Sequence, residues 1–396
     1  MRISGPFPFR AIAVVPAVMA VMAVMLAGCT QAELPPAPLQ SMTSTPPSSG
    51  TIPPETNGVS RGAGWHEVAI HGSVRSIADV NSESPPPHLV AAGLSGDQPL
   101  LVDVTAGSAR EVIGDFPNRY RNGLFAVAAD GANIAVTERT DSGLAKSATF
   151  WLGDDYSTYW RQVPRVAEGN RPGWLWPLMD GEEDLRSVGV IQSGNRWRLH
   201  AWQAFRHWVP LDRDPQLYVH EQPSSRTVLT GSTETTVVVA GALSDRPSRA
   251  GASPQVWTIA DTLDVSHGRW QRHRMASTPD GLTDVADWDL GWWVAGHRNL
   301  RPVVYDFDSR NGATIPVPDT RLDPHHPVVF VAGIPVSRPM VLATQSVDGP
   351  TVWVRKGRSW IRIPAPTGKL SAARAVGDGV YLLIDGALWF RTLPDR

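Results

Sequence analysis

Cys29 is the only cysteine of the 396-residue chain, and its thiol is a nucleophile that can carry a covalent modification. It ends the run Leu26-Ala27-Gly28-Cys29, which follows an apolar stretch from Ala11 to Met25. Arg2 and Arg10 precede that stretch. A basic start, an apolar run too short for a comfortable membrane span and small residues before the cysteine are typical of a secretory signal peptide and its cleavage site. The sequence therefore predicts an exported chain.

The same run resembles the lipobox of bacterial lipoproteins. This resemblance implies that the Cys29 thiol is acylated with a diacylglycerol, that cleavage occurs just before it, and that the new N-terminus is often acylated too. Two or three acyl chains, at about 0.8 kcal/mol per buried methylene, anchor a protein durably. The alternative is an ordinary signal peptide with an incidental cysteine. On the lipobox interpretation, we expect the protein on the outer face of a cell membrane, attached through its lipid.

The residues after Cys29 favour a tether. From Thr30 to about Gly64 the chain is rich in Pro, Ser and Thr and has almost no large apolar side chains. Such a segment cannot bury a core, so we expect a disordered or polyproline-like spacer that extends by about 3.1 Å per residue. We therefore divide the chain into a signal peptide (1–28), a lipidated Cys29 with its tether (29–64) and a folded domain (65–396).

The balance of charge argues against a nucleic-acid partner. The chain has 36 Lys and Arg against 38 Asp and Glu, a formal net charge of −2. General binders of nucleic acid or of anionic membranes are usually strongly basic. The folded domain has no cysteine, so its stability must come from a core and not from disulfides.

Histidines invite a metal interpretation at one place. His325-His326, with Asp323 and His297, has the residue types that suit zinc. Adjacent residues in a strand point to opposite faces, so the pair ligates one ion only if the chain turns between them. A phosphate-binding glycine loop, a helical zinc motif and a Gly-x-Ser-x-Gly elbow are all missing from the sequence. We therefore predict no metal and no cofactor.

Tryptophan recurs with a period that predicts the fold. Short segments that begin with an aromatic residue are repeated, for example Tyr159-Trp160-Arg161-Gln162-Val163-Pro164 and Ser359-Trp360-Ile361-Arg362-Ile363-Pro364. With two degenerate copies, the anchor positions are 65, 109, 160, 208, 270, 314 and 360. A period of this size indicates radial repetition of a four-stranded unit. We expect the aromatic anchors to pack between neighbouring units, namely Trp160, Trp208, Trp270 and Trp360.

The remaining strands and the closure follow from this phasing. Four Asp-Gly pairs predict two-residue hairpins with positive φ at both central positions: Asp130-Gly131, Asp180-Gly181, Asp378-Gly379 and Asp385-Gly386. The last unit has three strands only, and the first copy, Trp65–Ile70, has no partner before it. Pairing Trp65–Ile70 with Leu388–Thr392 would close the ring and remove the open sheet edge.

This layout resembles the β-propeller family across nearly the whole domain. The sequence therefore predicts an all-β, seven-bladed β-propeller. Six or eight blades stay open because an inserted loop, Ser244–Pro254, lengthens the fourth unit. Two stacked β-sandwiches would explain short strands but not the periodic tryptophan or the split last repeat.

Among propellers, the layout is distantly similar to the sialidase-like secreted ones, although neither their Asp box nor the WD-repeat signature is matched. The resemblance implies a ligand surface where the inter-blade loops and the second-to-third-strand loops converge. A glycosidase of this type needs an arginine cluster for the substrate carboxylate, a tyrosine activated by a glutamate, and an acidic proton donor. The candidate ligand-binding residues are Arg121, Arg171, Arg249 and Arg298, with Tyr120, Glu221 and, for stacking, Trp174.

Two functions follow from these observations. The favoured one is a non-catalytic binding or scaffolding module for a protein partner or an envelope polysaccharide, because the sequence combines a rigid ring with a long tether and no recognisable catalytic set. The alternative is a sialidase-like exo-glycosidase or lyase. The Pro-rich spacer, single cysteine and arginine-heavy composition are similar to those of secreted lipoproteins of high-GC actinobacteria.

Overall fold

The computed structural model of the chain describes residues 64–80, 88–111, 124–130, 133–138, 150–153, 160–162, 171–180, 184–193, 196–204, 208–211, 217–220, 228–233, 236–246, 253–260, 269–288, 291–307, 311–333 and 340–393. Every regular element in these ranges is a β-strand, and within them no helix is long and apolar enough to span a membrane. Residues Thr56–Arg396 form one compact unit. The predicted signal peptide, Cys29 and the tether up to residue 63 lie outside the described residues.

The strands of the first half are short and follow one another closely. They are β1 (His66–Glu67), β2 (Ser73–Val80), β3 (His88–Ser95), β4 (Gln98–Thr105), β5 (Ser108–Glu111), β6 (Leu124–Asp130), β7 (Asn133–Glu138), β8 (Phe150–Gly153), β9 (Trp160–Gln162), β10 (Arg171–Asp180), β11 (Asp184–Ser193), β12 (Arg196–Ala204), β13 (Trp208–Pro210) and β14 (Leu217–Val219).

The second half continues in the same way. Its strands are β15 (Val228–Thr233), β16 (Thr236–Gly241), β17 (Leu243–Ser244), β18 (Gln255–Ala260), β19 (Gln271–Met275), β20 (Gly281–Trp288), β21 (Gly291–Arg298), β22 (Arg301–Phe307), β23 (Asn311–Ile315), β24 (Val329–Ala332), β25 (Val341–Ser346), β26 (Gly349–Lys356), β27 (Ser359–Pro364), β28 (Leu370–Val376), β29 (Gly379–Ile384) and β30 (Ala387–Thr392).

Successive strands pair antiparallel, so the described strands fall into seven meanders of four. Meanders 1 to 3 are β2–β5, β6–β9 and β10–β13; meander 4 is β15, β16, β18 and β19; meanders 5 and 6 are β20–β23 and β24–β27; meander 7 is β28–β30 with β1 as its fourth strand. Two additions were not predicted. β14 and β17 extend meander 3, and a short parallel pairing of β19 with β23 joins meanders 4 and 5.

The closing pair lies where the sequence placed it. His66 pairs with Phe390 and Glu67 with Trp389, which confirms that the first strand completes the last unit. The predicted strand Trp65–Ile70 was too long, since only His66–Glu67 is a strand. The Val68 amide still donates to the Leu388 carbonyl at 2.8 Å. After that bond the chain must leave β30 in order to reach β2.

The first strands of the meanders form a closed cycle. β2 contacts β6, β6 contacts β10, and the series continues through β15, β20, β24 and β28 back to β2. A closed cycle of first strands with antiparallel meanders radiating from it is a β-propeller, as predicted. The number of blades stays a prediction, because one sheet joins eight strands and another joins six.

The core lies between neighbouring meanders, and tryptophans are part of it. Trp270 is buried in a cluster shared by meanders 3 and 4, and Trp360 packs against a cluster shared by meanders 5 and 6. Trp65 is buried between meanders 6 and 7. A second contact is repeated, because Trp360 Nε1 donates to the Pro316 carbonyl at 3.2 Å and Trp65 Nε1 donates to the Pro364 carbonyl at 2.7 Å. For the anchors whose side chains are described, the packing prediction is confirmed.

Two of the four predicted hairpins fall entirely within the described residues. Asp385 and Gly386 have φ values of 51° and 81°, as a type I′ turn requires. The prediction for Asp378-Gly379 was wrong by one residue, because Val376 pairs with Gly379 and the turn consists of Gly377 and Asp378. Gly377 has a φ of 63°, and glycine suits the first central position of a type II′ turn.

The meander order gives the ring two distinct ends. Because consecutive strands run in opposite directions, the second-to-third-strand hairpins and the connections between meanders share one end, here called the loop end. The first-to-second-strand and third-to-fourth-strand turns lie at the other, here called the tether end, because the chain joins the ring there at Gly64, ahead of β1.

Candidate functional site

The loop end of meanders 5 and 6 is held together by backbone hydrogen bonds. The connection 316–328 between them is bonded on both sides: the Leu322 amide donates to the Leu300 carbonyl at 2.8 Å, and the Asp323 amide donates to the Gln345 carbonyl at 3.0 Å. An isolated bridge also pairs Leu322 with Ser346. A connecting segment that is already fixed at several points has little conformational freedom to lose, so binding to it costs less conformational entropy. This region is therefore a preformed surface.

His325 and His326 lie in a turn of that connection and not in a strand, so the strand argument does not apply to them. His326 is buried, and its Nε2 lies 2.7 Å from the Leu370 carbonyl. Gln345 Oε1 accepts from the amide of the same Leu370 at 2.9 Å. His325 is exposed, and its backbone amide donates to Asp323 Oδ1 at 2.9 Å. His326 therefore attaches the connection 316–328 to the start of meander 7, and Gln345 attaches meander 6 to the same residue. Within the described residues, no group of three His, Cys, Asp or Glu is placed to hold a metal ion.

Arg298 lies beside a shallow groove at the loop end of meander 5. The groove has a volume of about 370 Å³ and is lined by Arg298, Asn299, Arg301, Pro302, Val303, Val317, Pro318 and Asp319. Asn299 and Leu300 form the hairpin, with φ values of 51° and 56°. The Asn299 amide donates to Asp280 Oδ2 at 2.6 Å, which fixes the turn. Arg301 forms an ion pair with Asp319; both side chains are exposed, so the pair contributes little stability. The groove can thus present an arginine next to apolar surface.

On the two strands of this hairpin, β21 and β22, burial shifts the pKa of two side chains. Burial lowers the pKa of His297, opposed by the negative charge of Asp280. Burial raises the pKa of Tyr305, whose hydroxyl donates to the Ser277 carbonyl at 2.9 Å. Both shifts favour neutral side chains. A neutral tyrosine that donates to a carbonyl is a structural group, and not the activated nucleophile that a sialidase-like mechanism requires.

The interior of the ring holds a charged network that sequence reasoning missed. Arg374 on β28 lies 3.6 Å from Asp284 on β20 and 3.8 Å from Asp79 on β2. Meander 6 separates β20 from β28, so this contact crosses the interior of the cycle of first strands. Asp284 Oδ2 also accepts from the Val331 amide at 3.0 Å. Burial raises the pKa of Asp284 to about 6, although Arg374 and the hydrogen bonds oppose the shift. The network connects first strands of four meanders.

A sequence signal for this network existed but was incomplete. Each of its members is a charged residue within a run otherwise rich in apolar residues, and such a residue is rarely buried without a partner. The partners lie far apart in sequence, so they could not be paired before the ring was known.

The predicted ligand-binding residues are only partly described. Arg298 lies on the β21–β22 hairpin of meander 5, whereas Arg171 begins β10 of meander 3 and Trp174 follows in the same strand, opposite Val190. The structure therefore places these residues on meanders that are not neighbours. Tyr120, Arg121, Glu221, Arg249 and the lipidation site Cys29 lie outside the described residues. Their roles stay predictions.

Comparison with solved structures agrees with the fold and goes no further. The chain is similar to YCF48 from Cyanidioschyzon merolae, with a TM-score of 0.50 and 15% identity, over 83% of this chain and 99% of that one. It is also similar to the Dos1 propeller (TM-score 0.49, 9% identity, 84% and 95% coverage) and to BamB from Moraxella catarrhalis (0.41, 12%, 82% and 84%). No protein-family model and no curated protein matches the sequence. At this identity the first similarity supports the β-propeller fold alone.

Proposed function

We propose that this chain is a lipid-anchored, non-catalytic binding module on the outer face of a cell membrane. Its loop end holds a protein partner, and the tether sets the distance of that partner from the bilayer. The anchor is the acylated Cys29 that the lipobox resemblance implies.

One observation carries the choice of a protein partner. Two large hydrophobic side chains are exposed among the described residues: Val347, 59% exposed, and Ile361, 44% exposed. Val347 follows Ser346 in the β25–β26 hairpin, and Ser346 is bridged to the preformed connection 316–328. An exposed apolar side chain on a fixed backbone can be buried by a protein partner at little cost in ordering, and its burial favours binding.

Charge at the loop end agrees with this proposal. Arg298 and Arg321 are exposed there, and arginine is enriched in protein interfaces because its planar guanidinium binds carboxylates and stacks on apolar groups. An acidic envelope polysaccharide would also bind these arginines, but its affinity would not depend on burying Val347. The two kinds of partner therefore predict different sensitivities to substitution.

The test is site-specific cross-linking in the producing cell. A photo-reactive side chain at position 347 is compared with the same side chain at position 361, which is equally apolar but lies on the outer strand β27. We expect a defined protein adduct from position 347 and none from position 361, and we expect Val347→Asp to abolish that complex while Ile361→Asp leaves it. Equal labelling from both positions would contradict the proposal. Binding of the domain to an acidic glycan, lost with Arg298→Ala and retained with Val347→Asp, would replace the protein by a polysaccharide.

A further inference from the structure

The outer hairpin of meander 6 is rich in basic residues and has no acidic residue of its own. Between Gly349 and Val376 the chain has six basic residues and no Asp or Glu. Four of them, Arg355, Lys356, Arg358 and Arg362, lie on the hairpin formed by β26 and β27, here called the basic hairpin. Lys356, Arg358 and Arg362 are exposed, and Arg355 is half-buried.

These four cations are not neutralised by neighbours within the described residues. None of them forms an ion pair there. Arg355 Nε donates to the Gly357 carbonyl at 3.2 Å, which is a local bond of the turn. The Arg362 guanidinium lies 5.9 Å from the centre of the Trp353 ring, a contact that orients the group and leaves its charge in place. The basic hairpin therefore presents its charge to solvent.

The basic hairpin lies at the end of the ring where the tether joins. Its turn connects the third and fourth strands of meander 6, opposite the loop end. In meander 7 the same position, between the end of β30 and the start of β1, is open, and there the chain joins the ring at Gly64. The pairing of the third and fourth strands agrees in the two meanders. In meander 6, Trp360 pairs with Arg355. In meander 7, Trp65 is equivalent to Trp360, and the next residue, His66, pairs with Phe390. Gly64 and the turn of the basic hairpin thus lie at equivalent places on neighbouring meanders.

We propose that the basic hairpin binds the phosphate groups of anionic phospholipids in the membrane that carries the anchor. This inference rests on the membrane anchoring proposed above. Each Lys or Arg close to an anionic surface contributes about 1 kcal/mol, or about a five-fold gain in affinity. The formal net charge of −2 argued against a general binder of anionic membranes, but it averages over the whole chain. The described basic excess is local and lies at the end of the ring where the chain joins at Gly64.

An acidic protein is the competing occupant, since the basic hairpin would attract it too. The membrane is favoured because the chain that would carry the anchor joins the ring at Gly64, at this same end, so the basic hairpin lies near the point of attachment. Contact there would leave the loop end facing away from the membrane, where the proposed partner binds.

The experiment uses the chain from Thr30 onwards, which retains the whole compact unit Thr56–Arg396 but has no lipid. Its binding to phosphatidylcholine vesicles is compared with and without phosphatidylglycerol, by flotation. We expect binding only with phosphatidylglycerol and a loss of affinity at high salt. Lys356→Gln with Arg358→Gln should weaken binding by about thirty-fold. The matched control, Arg246→Gln with Arg321→Gln, removes two exposed charges from the loop end and should leave binding unchanged.

Three results would overturn the proposal. One is equal binding to both kinds of vesicle, and another is an equal loss in the two double variants. The third is binding to soluble polyglutamate that is tighter than binding to the vesicles and is lost with Lys356→Gln and Arg358→Gln, because it would assign the surface to an acidic protein. Acyl labelling of Cys29 tests the anchor separately. A chain that binds the vesicles but takes no label keeps the basic surface and refutes the anchor, whereas a labelled chain that ignores the vesicles refutes the surface.

Discussion

Trp65 is the side chain whose removal tests ring closure most directly. Its indole is 1% exposed and lies in the core cluster shared by meanders 6 and 7. Its Nε1 donates to the Pro364 carbonyl at 2.7 Å. β1 pairs with β30 through two residue pairs only, so the indole supplies much of the contact that holds the first strand in the last unit.

Two substitutions separate the packing of this indole from its hydrogen bond. Trp65→Ala removes a fully buried aromatic side chain and leaves a cavity, which costs about 3–5 kcal/mol of unfolding free energy. Trp65→Phe keeps most of the apolar area but removes the donor to the Pro364 carbonyl; because Pro364 is exposed, this costs about 0.5–1.5 kcal/mol. Since a domain has about 5–15 kcal/mol of stability in total, the alanine variant should be severely destabilised.

The assay is urea unfolding of the chain from Thr30, followed by circular dichroism, with stability taken from the midpoint and slope. Trp360 is the internal control, because it occupies the equivalent position in meander 6 but is half-buried and makes a longer bond, 3.2 Å, to the Pro316 carbonyl. We expect Trp360→Ala and Trp360→Phe to cost less than the matching changes at Trp65. A cost below about 1 kcal/mol for Trp65→Ala, or a cost no greater than that of Trp360→Ala, would refute the argument that this indole holds the ring closed.

Three further predictions test other parts of the molecule. His326→Ala should lower the unfolding free energy by about 1–3 kcal/mol, since it leaves the buried Leu370 carbonyl unpaired, while His325→Ala should change it by less than about 0.5 kcal/mol; urea unfolding measures both, and equal effects would contradict the assignment. Because the folded-state pKa of Asp284 is raised from 3.8 to about 6, its contribution to stability is fully present below pH 3.8 and is lost as the pH rises through 6. Between pH 3.8 and 6 this carboxyl should lower the unfolding free energy by about 3 kcal/mol, and Asp284→Asn should remove that decrease. Urea midpoints across this pH range measure it, and the same pH profile in the variant would show that the carboxyl does not titrate there. Cys29→Ser should abolish metabolic labelling with an alkyne fatty acid, whereas retained labelling would disprove the lipobox interpretation.

The parts of the fold that could be predicted are those in which the same residue type makes the same contact in successive units. Trp65 and Trp360 make the same contact with the proline carbonyl of the preceding unit, so their spacing reports the repeat directly. The closing pair followed from counting strands, and His66 opposite Phe390 confirms it. The length of the closing strand was overestimated because its apolar pattern runs on to Ile70, whereas the chain must turn towards β2 after the Val68 amide bond.

The features that escaped prediction depend on contacts between distant strands. The parallel pairing of Arg274 with Asn311 joins two units through their outer edges, and no local pattern distinguishes such an edge from a free one. The network of Asp79, Asp284 and Arg374 depends on which first strands face one another across the ring.

At the proposed binding surface, Val347 was overlooked because a single valine in a turn is unremarkable until its exposure and its fixed backbone are known.

The position of β1 in the last unit has a consequence for biosynthesis. A chain is made from its N-terminus, so β1 is the first strand available and among the last to find its partner, more than three hundred residues later. Bringing such distant segments together carries a loop-closure cost of about 5 kcal/mol. The pairing with β30 can offset this cost only after β30 has been synthesised. Until then β1 remains unpaired, and the ring is open where meander 7 is still missing. A nascent chain is thus distinguishable from a finished one by that gap, and a protease that cuts at open sheet edges would remove chains that stop before Ala387 and spare those that reach Thr392.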